Sequence, residues 1–585
     1  MSPCRQIDRP PATRIIVVAT TSAPAGFPAN IPVSLQTYEN WAQMISVPNV
    51  WTCIPATEAD VVAVCNWAAQ AKFTVRARGV AHGWSPLTVT EGETTDNVML
   101  VDLRTNLNKV LSISPASAGS PAQVTVQTGC TMLDLMTALE TSRVGPDPDV
   151  GFSFAHIPAP GNLTVGGVLA INGHGTGVRT PPRDDMNLPY GSLSNQILGF
   201  TAIVTRPVTG TYAARRFSRG DPDAKAFLTH CGRALLTEVT LQVTDNYMLR
   251  CQSFMNIPAT TLFAQPVGGK DPARSVGDFL QQSGRIEVIW FPAFDPAQPS
   301  FPWFKVWTVS PKKPTYAKIA TGPYNYPFSD DLPSFITALL RQMVTSAPEI
   351  TPTFCSTVAQ YTAGQLTSVA DLWGKSKNTL LYVKDETLRV TANGYAVLMK
   401  RDQVQQAIAD ATTKFTDMLL SYQKNGLWPI NSPLEIRVTG LDDTAHLGLP
   451  PGQVAESPVI SSLGTDPIVQ QNGWDVACWF DVLTIIPEGD PQQAYQFYTE
   501  LETWFYAHFD TGFRANVEWS KGWAYSVPGG AWTDAAVIQS IRDTCTTGRP
   551  ADATWAWQVA TLQSYDAANL FTNPFLDQLF TTGSS

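Results

Sequence analysis

Apolar positions along the first 245 residues recur alternately at helical and at strand spacing. In TEADVVAVCNWAAQAK they fall on one helical face between 61 and 68, and Thr57 and Asp60 have the spacing of a capping box. The stretches FTVRARG, VMLVDL and AQVTVQTGC predict strands, and TMLDLMTALE predicts a helix. The pattern therefore predicts a mixed α+β first domain.

The pattern changes from about residue 250 to 535. Long alternating stretches predict the strands of a large antiparallel sheet: IEVIWFP, FKVWTVS, TLLYVKDETLRVT, LEIRVTGL and WDVACWFDVL. Helical spacing predicts helices at 331–345, 402–424 and 490–508. We therefore expect a first domain at 1–245, a second at 246–545, and a tail, 546–585, that returns to the first.

Length and charge limit what the chain can do. A chain of 585 residues exceeds the roughly 250 to 300 residues at which one core stops growing, which agrees with two domains. Its formal charge of -10 would repel a phosphate backbone, so we expect no nucleic-acid partner. With 44% hydrophobic residues, including 17 Trp and 26 Phe, it has enough apolar surface for an apolar ligand cavity.

The cysteines and the N-terminal segment bear on metal binding and location. Nine cysteines are scattered without a Cys-x-x-Cys pair, which argues against a zinc site. The apolar run RIIVVAT at 14–20 is short for a signal peptide, and TTSAPAGFPA resembles a processed leader. No run approaches the roughly 18 apolar residues of a membrane span. We expect a soluble protein, secreted or extracellular, with a cytoplasmic location still open.

Two glycine-rich loops carry the candidate chemistry. RARGVAHGWSP spans 76–86, and PAPGNLTVGGVLAINGHGTG spans 158–177. Glycine lets a backbone approach a ligand closely and point its amides at phosphate, although tight turns alone also favour it. Neither loop is a G-x-G-x-x-G that opens a helix after the first strand, so a Rossmann fold is not indicated. Two such loops in one α+β domain favour a cofactor site.

The order of these motifs from 40 to 245, with VTVQTGC and GSLSNQILGFTAIV, resembles the vanillyl-alcohol-oxidase family of flavoproteins. The resemblance implies an FAD-binding domain of the type named PCMH-like, in an α+β protein whose second domain is a large antiparallel sheet flanked by helices. It implies these cofactor-binding residues: Arg78, Gly79, Val80, Ala81, His82, Gly83, Gly129, Pro158, Gly161, Thr164, Gly166, Gly167, Asn172, His174, Gly175, Gly177, Ser194 and Asn195.

Over nearly the whole chain, RGVAHGW, INGHG, GPYNY, IEVIWFP, VWTVSP, EIRVTGL and EWSKGWAY are similar to the covalently flavinylated (type II) cholesterol oxidases. In this family a histidine at the position of His82 commonly carries the flavin through its 8α-methyl group. Taken alone, a loop histidine beside Gly83 is more often a structural residue. A second, thioether link would need a cysteine before the Gly166–Gly167 pair, and PGNLTVGG has none.

Charged residues in the second domain are the catalytic candidates. The alternation of a strand places Glu435 and Arg437 on the same face. Two charged residues at this spacing more often lie on a solvent-exposed sheet face than in a site. The resemblance implies instead that they face the flavin and gate oxygen access. Glu287, inside the apolar run IEVIW, is either outward-facing or buried. If buried, it should be paired with a cation or have a raised pKa, and either makes it a site candidate. Lys521 matches a family position near flavin N1 and the C2 carbonyl.

Four further candidates are weaker: His174, Asn195, Tyr324 and Asp481. In FRANVEWSK the spacing differs from the family pattern, which leaves Arg514 and Glu518 without an assigned role.

The resemblance implies an oxidase of 3β-hydroxysterols. Hydride passes from C3 of the sterol to the flavin, and a base takes the hydroxyl proton. Glu435 or Glu287 then moves a proton from C4 to C6, which brings the double bond into conjugation with the new ketone, and oxygen reoxidises the flavin to give hydrogen peroxide. The partners are then a sterol and oxygen, with transient contact with lipid surfaces. Two rivals stay open: a flavin oxidase or dehydrogenase of the same fold for a sugar or aromatic alcohol, and a non-catalytic carrier of flavin or apolar ligand.

Overall fold

The computed structural model describes residues 22–144, 149–180, 189–323, 333–382, 389–486 and 491–581. The leader-like run at 14–20, Cys4 and Tyr324 lie outside these ranges. Within them, no helix is long and apolar enough to cross a bilayer.

The first part of the chain alternates strands with short helices. Its elements are β1 (Val33–Glu39), β2 (Ser46–Cys53), α1 (Glu58–Ala71), β3 (Thr74–Arg78), β4 (Val98–Asp102), β5 (Val110–Ser114), β6 (Gln123–Gln127), α2 (Met132–Glu140), β7 (Phe152–Ser153), α3 (Val165–Ala170), β8 (Ile197–Thr205), β9 (Tyr212–Ser218), α4 (Lys225–Leu228), β10 (Leu236–Gln242) and β11 (Thr244–Asp245). The capping box predicted for α1 is confirmed, because the Thr57 side chain accepts from the Asp60 amide and the Asp60 side chain accepts from the Thr57 amide.

These strands form two main sheets. The first has the order β1-β2-β4-β3, with β4 parallel to both β2 and β3. The second, β5-β6-β10-β8-β9, is antiparallel throughout. The first glycine-rich loop follows β3, and the second, 158–177, contains the short helix α3.

The second part of the chain is built around one large sheet. Its elements are β12 (Met248–Phe254), α5 (Ala259–Leu262), α6 (Val276–Ser283), β13 (Ile286–Trp290), β14 (Trp303–Val309), β15 (Lys318–Ile319), α7 (Ser334–Thr345), α8 (Thr351–Leu366), β16 (Asp371–Lys375), α9 (Ser376–Leu380), β17 (Thr391–Met399), α10 (Val404–Lys424), β18 (Leu434–Gly440), α11 (Pro467–Asn472), β19 (Val476–Thr484), α12 (Gln492–His508), β20 (Arg514–Val517) and α13 (Ala535–Thr544).

The nine strands run in the order β15-β16-β12-β14-β13-β18-β19-β17-β20, and only the β15–β16 pair is parallel. Helices α10 and α12 cover one face, where they pack on Leu434, Ile436 and Val438 of β18. The predicted large antiparallel sheet flanked by helices is therefore confirmed. Because side chains alternate along a strand, Glu435 and Arg437 point to the opposite face of the sheet.

One strand prediction is wrong in part. The alternation in TLLYVKDETLRVT predicts a strand over 379–391, but Ser376–Leu380 forms α9 and β17 begins at Thr391. Leu380 and Leu381 are both buried, and the Trp307 indole donates to the Thr379 carbonyl. A short buried helix therefore satisfies the same apolar spacing; residues 383–388 of the stretch lie outside the described ranges.

The tail, with α14 (Trp555–Tyr565) and α15 (Pro574–Leu579), contacts the first part of the chain. Arg76 Nε donates to the Thr572 carbonyl at 2.8 Å. Asp566, 2% exposed, accepts from the Tyr212 hydroxyl and from the amides of Leu570 and Phe571. Asp566 thus both shapes the tail and bonds it to the first part of the chain through Tyr212.

Asp566→Asn should destabilise the protein by about 3 kcal/mol, because it removes the buried charge that lies 3.8 Å from Arg233 and an acceptor for the tail amides. Urea unfolding measures the loss. Asp417→Asn, at an exposed position on α10, is the control and should lie within about 0.5 kcal/mol of wild type. Equal stability of the two variants would contradict this role for Asp566.

Candidate functional site

A cleft in the first part of the chain is lined by both glycine-rich loops. Ten of the predicted cofactor-binding residues line it: Arg78, Gly79, Val80, Ala81, His82, Gly83, Gly129, Thr164, Gly166 and Gly167. Ala81 has a left-handed backbone, φ 56°, in the middle of the first loop. A Cβ on Gly79 would lie 2.7 Å from Thr164 Oγ1, so the loops meet too closely for a side chain there.

The other predicted cofactor residues lie elsewhere. Pro158, Gly161, Asn172, His174, Gly175, Gly177, Ser194 and Asn195 are not among the residues that line this cleft. Asn172 accepts from Ser461 and Ser462, and Asn195 donates to the carbonyls of Tyr190 and Asp443. Asn172 thus fastens the second glycine loop, and Asn195 the segment just before β8, to the chain that follows β18.

Gly177 joins the second glycine loop to β18. Its amide donates to the Val438 carbonyl, and its carbonyl accepts from Gly440, both at 2.9 Å. Because β18 carries Glu435 and Arg437, the loop and these charges have a fixed spacing.

His82 lies at the end of the first loop, between two tryptophans. Its ring stacks on Trp41 with centroids 4.7 Å apart and meets Trp84 edge-on at 6.1 Å. Burial, and then the positive charge of Lys521, lower the pKa of His82 to about 4. The imidazole is therefore neutral at physiological pH, the form with a nucleophilic nitrogen.

The loop of His82 is bonded directly to the loop of Lys521. The Trp84 amide donates to the Ser520 carbonyl at 2.8 Å, and Ser85 Oγ donates to the carbonyls of Trp519 and Lys521. Lys521 Nζ lies 4.1 Å from the centroid of the Trp84 ring. The structure thus brings together two candidates that are 439 positions apart in the sequence.

Arg437 is the centre of a buried array of charges. Its Nε lies 2.7 Å from Glu287 Oε1, its Nη2 2.6 Å from Glu435 Oε2, and its Nη1 3.1 Å from Asp481 Oδ2. In the strand register Glu287 is directly opposite Arg437, and Glu435 directly opposite Asp481. The sequence left open whether Glu287 was exposed or buried and paired; it is 2% exposed and paired.

Two members of the array were missed from the sequence. Lys305, fully buried on β14, pairs with Glu287, and the Tyr382 hydroxyl donates to the same carboxylate. Burial alone would raise the pKa of Glu287, but Lys305 and Arg437 outweigh burial and lower it to about 2. The alternation in WFKVWTV, 303–309, places Lys305 on the same face as Trp303 and Trp307, which was the available signal.

Asp481 and Glu518 are two buried carboxyl groups that lie side by side at one end of the array. Burial and the neighbouring Glu518 raise the pKa of Asp481 well above its ordinary value, while Lys521 and His174 hold the pKa of Glu518 low against burial. Asp481 Oδ1 and Glu518 Oε2 both face Gly394, where a Cβ would lie within 2.4 and 3.0 Å of them. These opposite shifts favour the protonated form of Asp481 beside an ionised Glu518.

The proton balances the array. With Asp481 neutral, three cations, Arg437, Lys305 and Lys521, oppose three anions, which are Glu287, Glu435 and Glu518. Buried charge is tolerated when it is paired and hydrogen-bonded. His174 completes this end of the array: its ring stacks on Trp479, and its Nε2 lies 3.7 Å from Glu518.

An apolar cavity of about 640 Å³ starts beside the array. Ile289 and Trp303 lie in its wall, one strand period from Glu287 and Lys305. Glu435 is directly opposite Ile289 in the sheet. The remaining wall comes from α8 and from the segment between β13 and β14, with Phe291, Phe294, Phe301, Ala359 and Ala363 among its side chains. Its size is typical of a small-molecule site.

The cleft fits FAD by the chemistry of its lining. His230, 4% exposed, lines it with an Nε2 atom that has no partner among the described residues. Its Nδ1 accepts from the Gly232 amide, so Nε2 carries the proton and points a donor at the cleft. Burial lowers the pKa of His230 to about 3, which keeps it neutral. A donor and glycine loops suit a diphosphate, and nothing in the sequence motifs indicated His230.

Two sequence profiles match the chain. One, described as cholesterol oxidase, substrate-binding, covers 248–581, and one described as FAD binding domain covers 51–204. Among solved structures, a solvent-stable cholesterol oxidase is 42% identical and a cholesterol oxidase from B. sterolicum is 35% identical. Each has a TM-score of 0.87 and aligns over 96% of this chain and 100% of its own.

The curated relatives match less of the chain. The L-gulonolactone oxidase of Mus musculus is 23% identical over 256 residues, which is 44% of this chain and 48% of that protein. The chain thus spans about half the length of this relative.

Lys305→Met should destabilise the protein by about 3 to 5 kcal/mol, because Glu287 loses the partner that offsets its burial. The pKa of Glu287 should rise. Chemical unfolding measures the first effect and the carboxylic C=O band in infrared titration the second. Lys305→Met with Glu287→Gln should recover part of the loss, since neither charge is then left alone. Additive losses in the double variant would contradict the pairing.

Proposed function

This chain belongs to the cholesterol oxidases of the vanillyl-alcohol-oxidase type, and we propose that it oxidises the 3β-hydroxyl group of cholesterol-like sterols with oxygen. The products are the conjugated 4-en-3-one and hydrogen peroxide. The observation that carries the proposal is the apolar cavity whose inner wall meets the array of Arg437 beside the loops of His82 and Lys521.

The cofactor is FAD, held by the two glycine loops and by His230 in the cleft. When bound, FAD accepts the two electrons released as the alcohol becomes a ketone and passes them to oxygen. The sterol rings occupy the cavity, with the hydroxyl end towards Glu435 and Arg437, because the charged array lies next to the wall residue Ile289, which is directly opposite Glu435 in the sheet.

Glu435 is the better candidate for moving the proton from C4 to C6. Glu287 is held by Lys305, Arg437 and Tyr382, and its lowered pKa makes it a weak base. Glu435 accepts from Arg437 Nη2 and stands opposite Ile289 in the cavity wall. It thus lies near the cavity and is held by one cation, whereas Glu287 is held by two.

His82 carries the flavin covalently in this proposal. Support comes from its neutral imidazole, its place in the cleft and its stacking on Trp41. Lys521, bonded through its loop to that of His82, supplies positive charge where the reduced ring becomes anionic.

His82→Ala should fold and bind FAD, but acid precipitation should leave its pellet colourless because no bond holds the flavin. The wild-type pellet should be yellow, with the flavin on the peptide that contains His82 by mass spectrometry. His508→Ala, at an exposed position on α12, is the control and should keep the yellow pellet. A wild-type protein that releases all its flavin on denaturation would disprove the link.

The wild-type enzyme, supplied with cholesterol and oxygen, should form both the conjugated enone and hydrogen peroxide. Ala363→Trp, which fills the cavity, should lower kcat/KM for cholesterol by at least about tenfold, while Thr357→Trp on the same helix but outside the cavity should not. Absorbance of the enone and coupled peroxide detection measure both variants. Rapid oxidation of a sugar lactone or benzylic alcohol with no sterol turnover would favour the rival oxidase, and flavin binding without peroxide the carrier.

Arg437→Ala should chiefly change the reaction of the reduced enzyme with oxygen, because Arg437 and Glu435 are proposed to gate oxygen access. Glu435→Gln should in addition slow isomerisation relative to oxidation. Stopped-flow measurement of each half-reaction separates the effects. Arg250→Ala, which removes a half-exposed pair with Asp371, is the control. Wild-type rates for both variants in both half-reactions would remove these residues from the site.

A further inference from the structure

A buried carboxyl group lies behind the loop that carries Lys521. Glu502 of α12 is 2% exposed. Its Oε2 accepts from the Ala524 amide at 2.8 Å, and its Oε1 from the Tyr525 amide at 3.0 Å. Ala524 has a left-handed backbone, φ 51°, which a residue with a side chain adopts only when its surroundings impose it. One carboxylate thus holds two successive amides of a strained turn, three residues after Lys521.

A second connection ties the same carboxylate to the central sheet. The Tyr395 hydroxyl donates to Glu502 Oε2 at 2.8 Å and accepts from Asn393 Nδ2 at 3.1 Å. The Gly522 amide donates to the Ala392 carbonyl at 2.7 Å. Helix α12, strand β17 and the Lys521 loop therefore form one connected unit with Glu502 at its centre.

The loop that carries Lys521 also contacts the His82 loop and the charge array. The carbonyl of Lys521 accepts from Ser85, and its Nζ lies 3.7 Å from Asp481 Oδ2. A displacement of the turn at Ala524 would therefore move Lys521 relative to both the His82 loop and the charge array.

We propose that Glu502 is a positioning residue, whose carboxylate holds the amides of Ala524 and Tyr525 and so sets the place of Lys521 against the flavin. The role towards the flavin rests on the function proposed above. Ionised, the carboxylate accepts all three hydrogen bonds. Protonation turns one oxygen into a donor and weakens its hold on the Ala524 amide. The loop is then held firmly above the pKa of Glu502 and more loosely below it.

The protonation of Glu502 falls in the physiological pH range. Burial raises the pKa of Glu502 to about 7, although the Tyr525 amide, the Tyr395 hydroxyl and the Ala524 amide each lower it. Asp534 adds a small rise, and the phenols of Tyr506 and Tyr525 stay neutral because burial raises their pKa. The titration of one group unused by the chemistry thus couples pH to the position of Lys521.

Hydrogen exchange tests the hold on the loop without any sterol. In the flavin-loaded protein at pH 8, Glu502→Gln should speed exchange of the 524–525 amides by at least about tenfold, since the amide side chain has one acceptor where the carboxylate has two. Glu500→Gln, exposed on the same helix and bonded to Gln496, should match wild type. Unchanged exchange in a folded Glu502→Gln would overturn the proposal.

The bound flavin tests the link to Lys521. The flavin absorbance and midpoint potential of wild type should show a step near pH 7, which Glu502→Gln should abolish. Tyr395→Phe should move the step to higher pH, because it removes a donor that lowers the pKa of Glu502. If Glu502→Gln fails to fold, this upward shift alone decides: its absence overturns the proposal. Neither readout uses cholesterol, so failure of sterol turnover would contradict the proposed function and leave this inference standing.

Discussion

The structure depends on keeping a group of buried charges electrically balanced on one face of a nine-stranded sheet. Arg437 contacts three carboxyl groups, and Lys305 offsets Glu287 from the neighbouring strand β14. Each charge left unpaired in such surroundings would cost several kcal/mol, so no member is free to change alone. The proton on Asp481 completes the balance, because four ionised carboxylates against three cations would leave one negative charge uncompensated.

The same constraint explains how the two parts of the chain are joined. The second glycine loop enters the sheet through Gly177, beside the strand of Arg437, and the first meets the Lys521 loop through Ser85. The cofactor cleft and the charge array therefore share backbone bonds and do not merely lie close together. A rigid relation of this kind suits a reaction in which cofactor and substrate meet at a fixed distance.

The sequence pattern predicted correctly those features that depend on residues close together in the chain. The N-terminal cap of α1 and the alternation of β18 could be predicted because both depend on neighbouring residues. The period of two also placed Glu435 and Arg437 together, but it could not say whether their face was wet or buried, since that depends on partners 150 positions away in Glu287. Lys305, His230 and Glu502 were missed for the same reason: each acquires its role from a strand register or a loop contact that only the folded chain creates.

The array also divides into parts that differ in freedom to move. Glu287 is fixed by two cations and a phenol, and Asp481 by its hydrogen bond with Glu518. Arg437 has three carboxyl partners, so a rotation of its guanidinium group away from them would leave several buried charges unpaired at once. Glu435 is directly opposite Ile289, which lines the cavity, and is tied to the array through Arg437. A gate built from this pair must therefore move Glu435 with Arg437, or the array would lose its balance on opening.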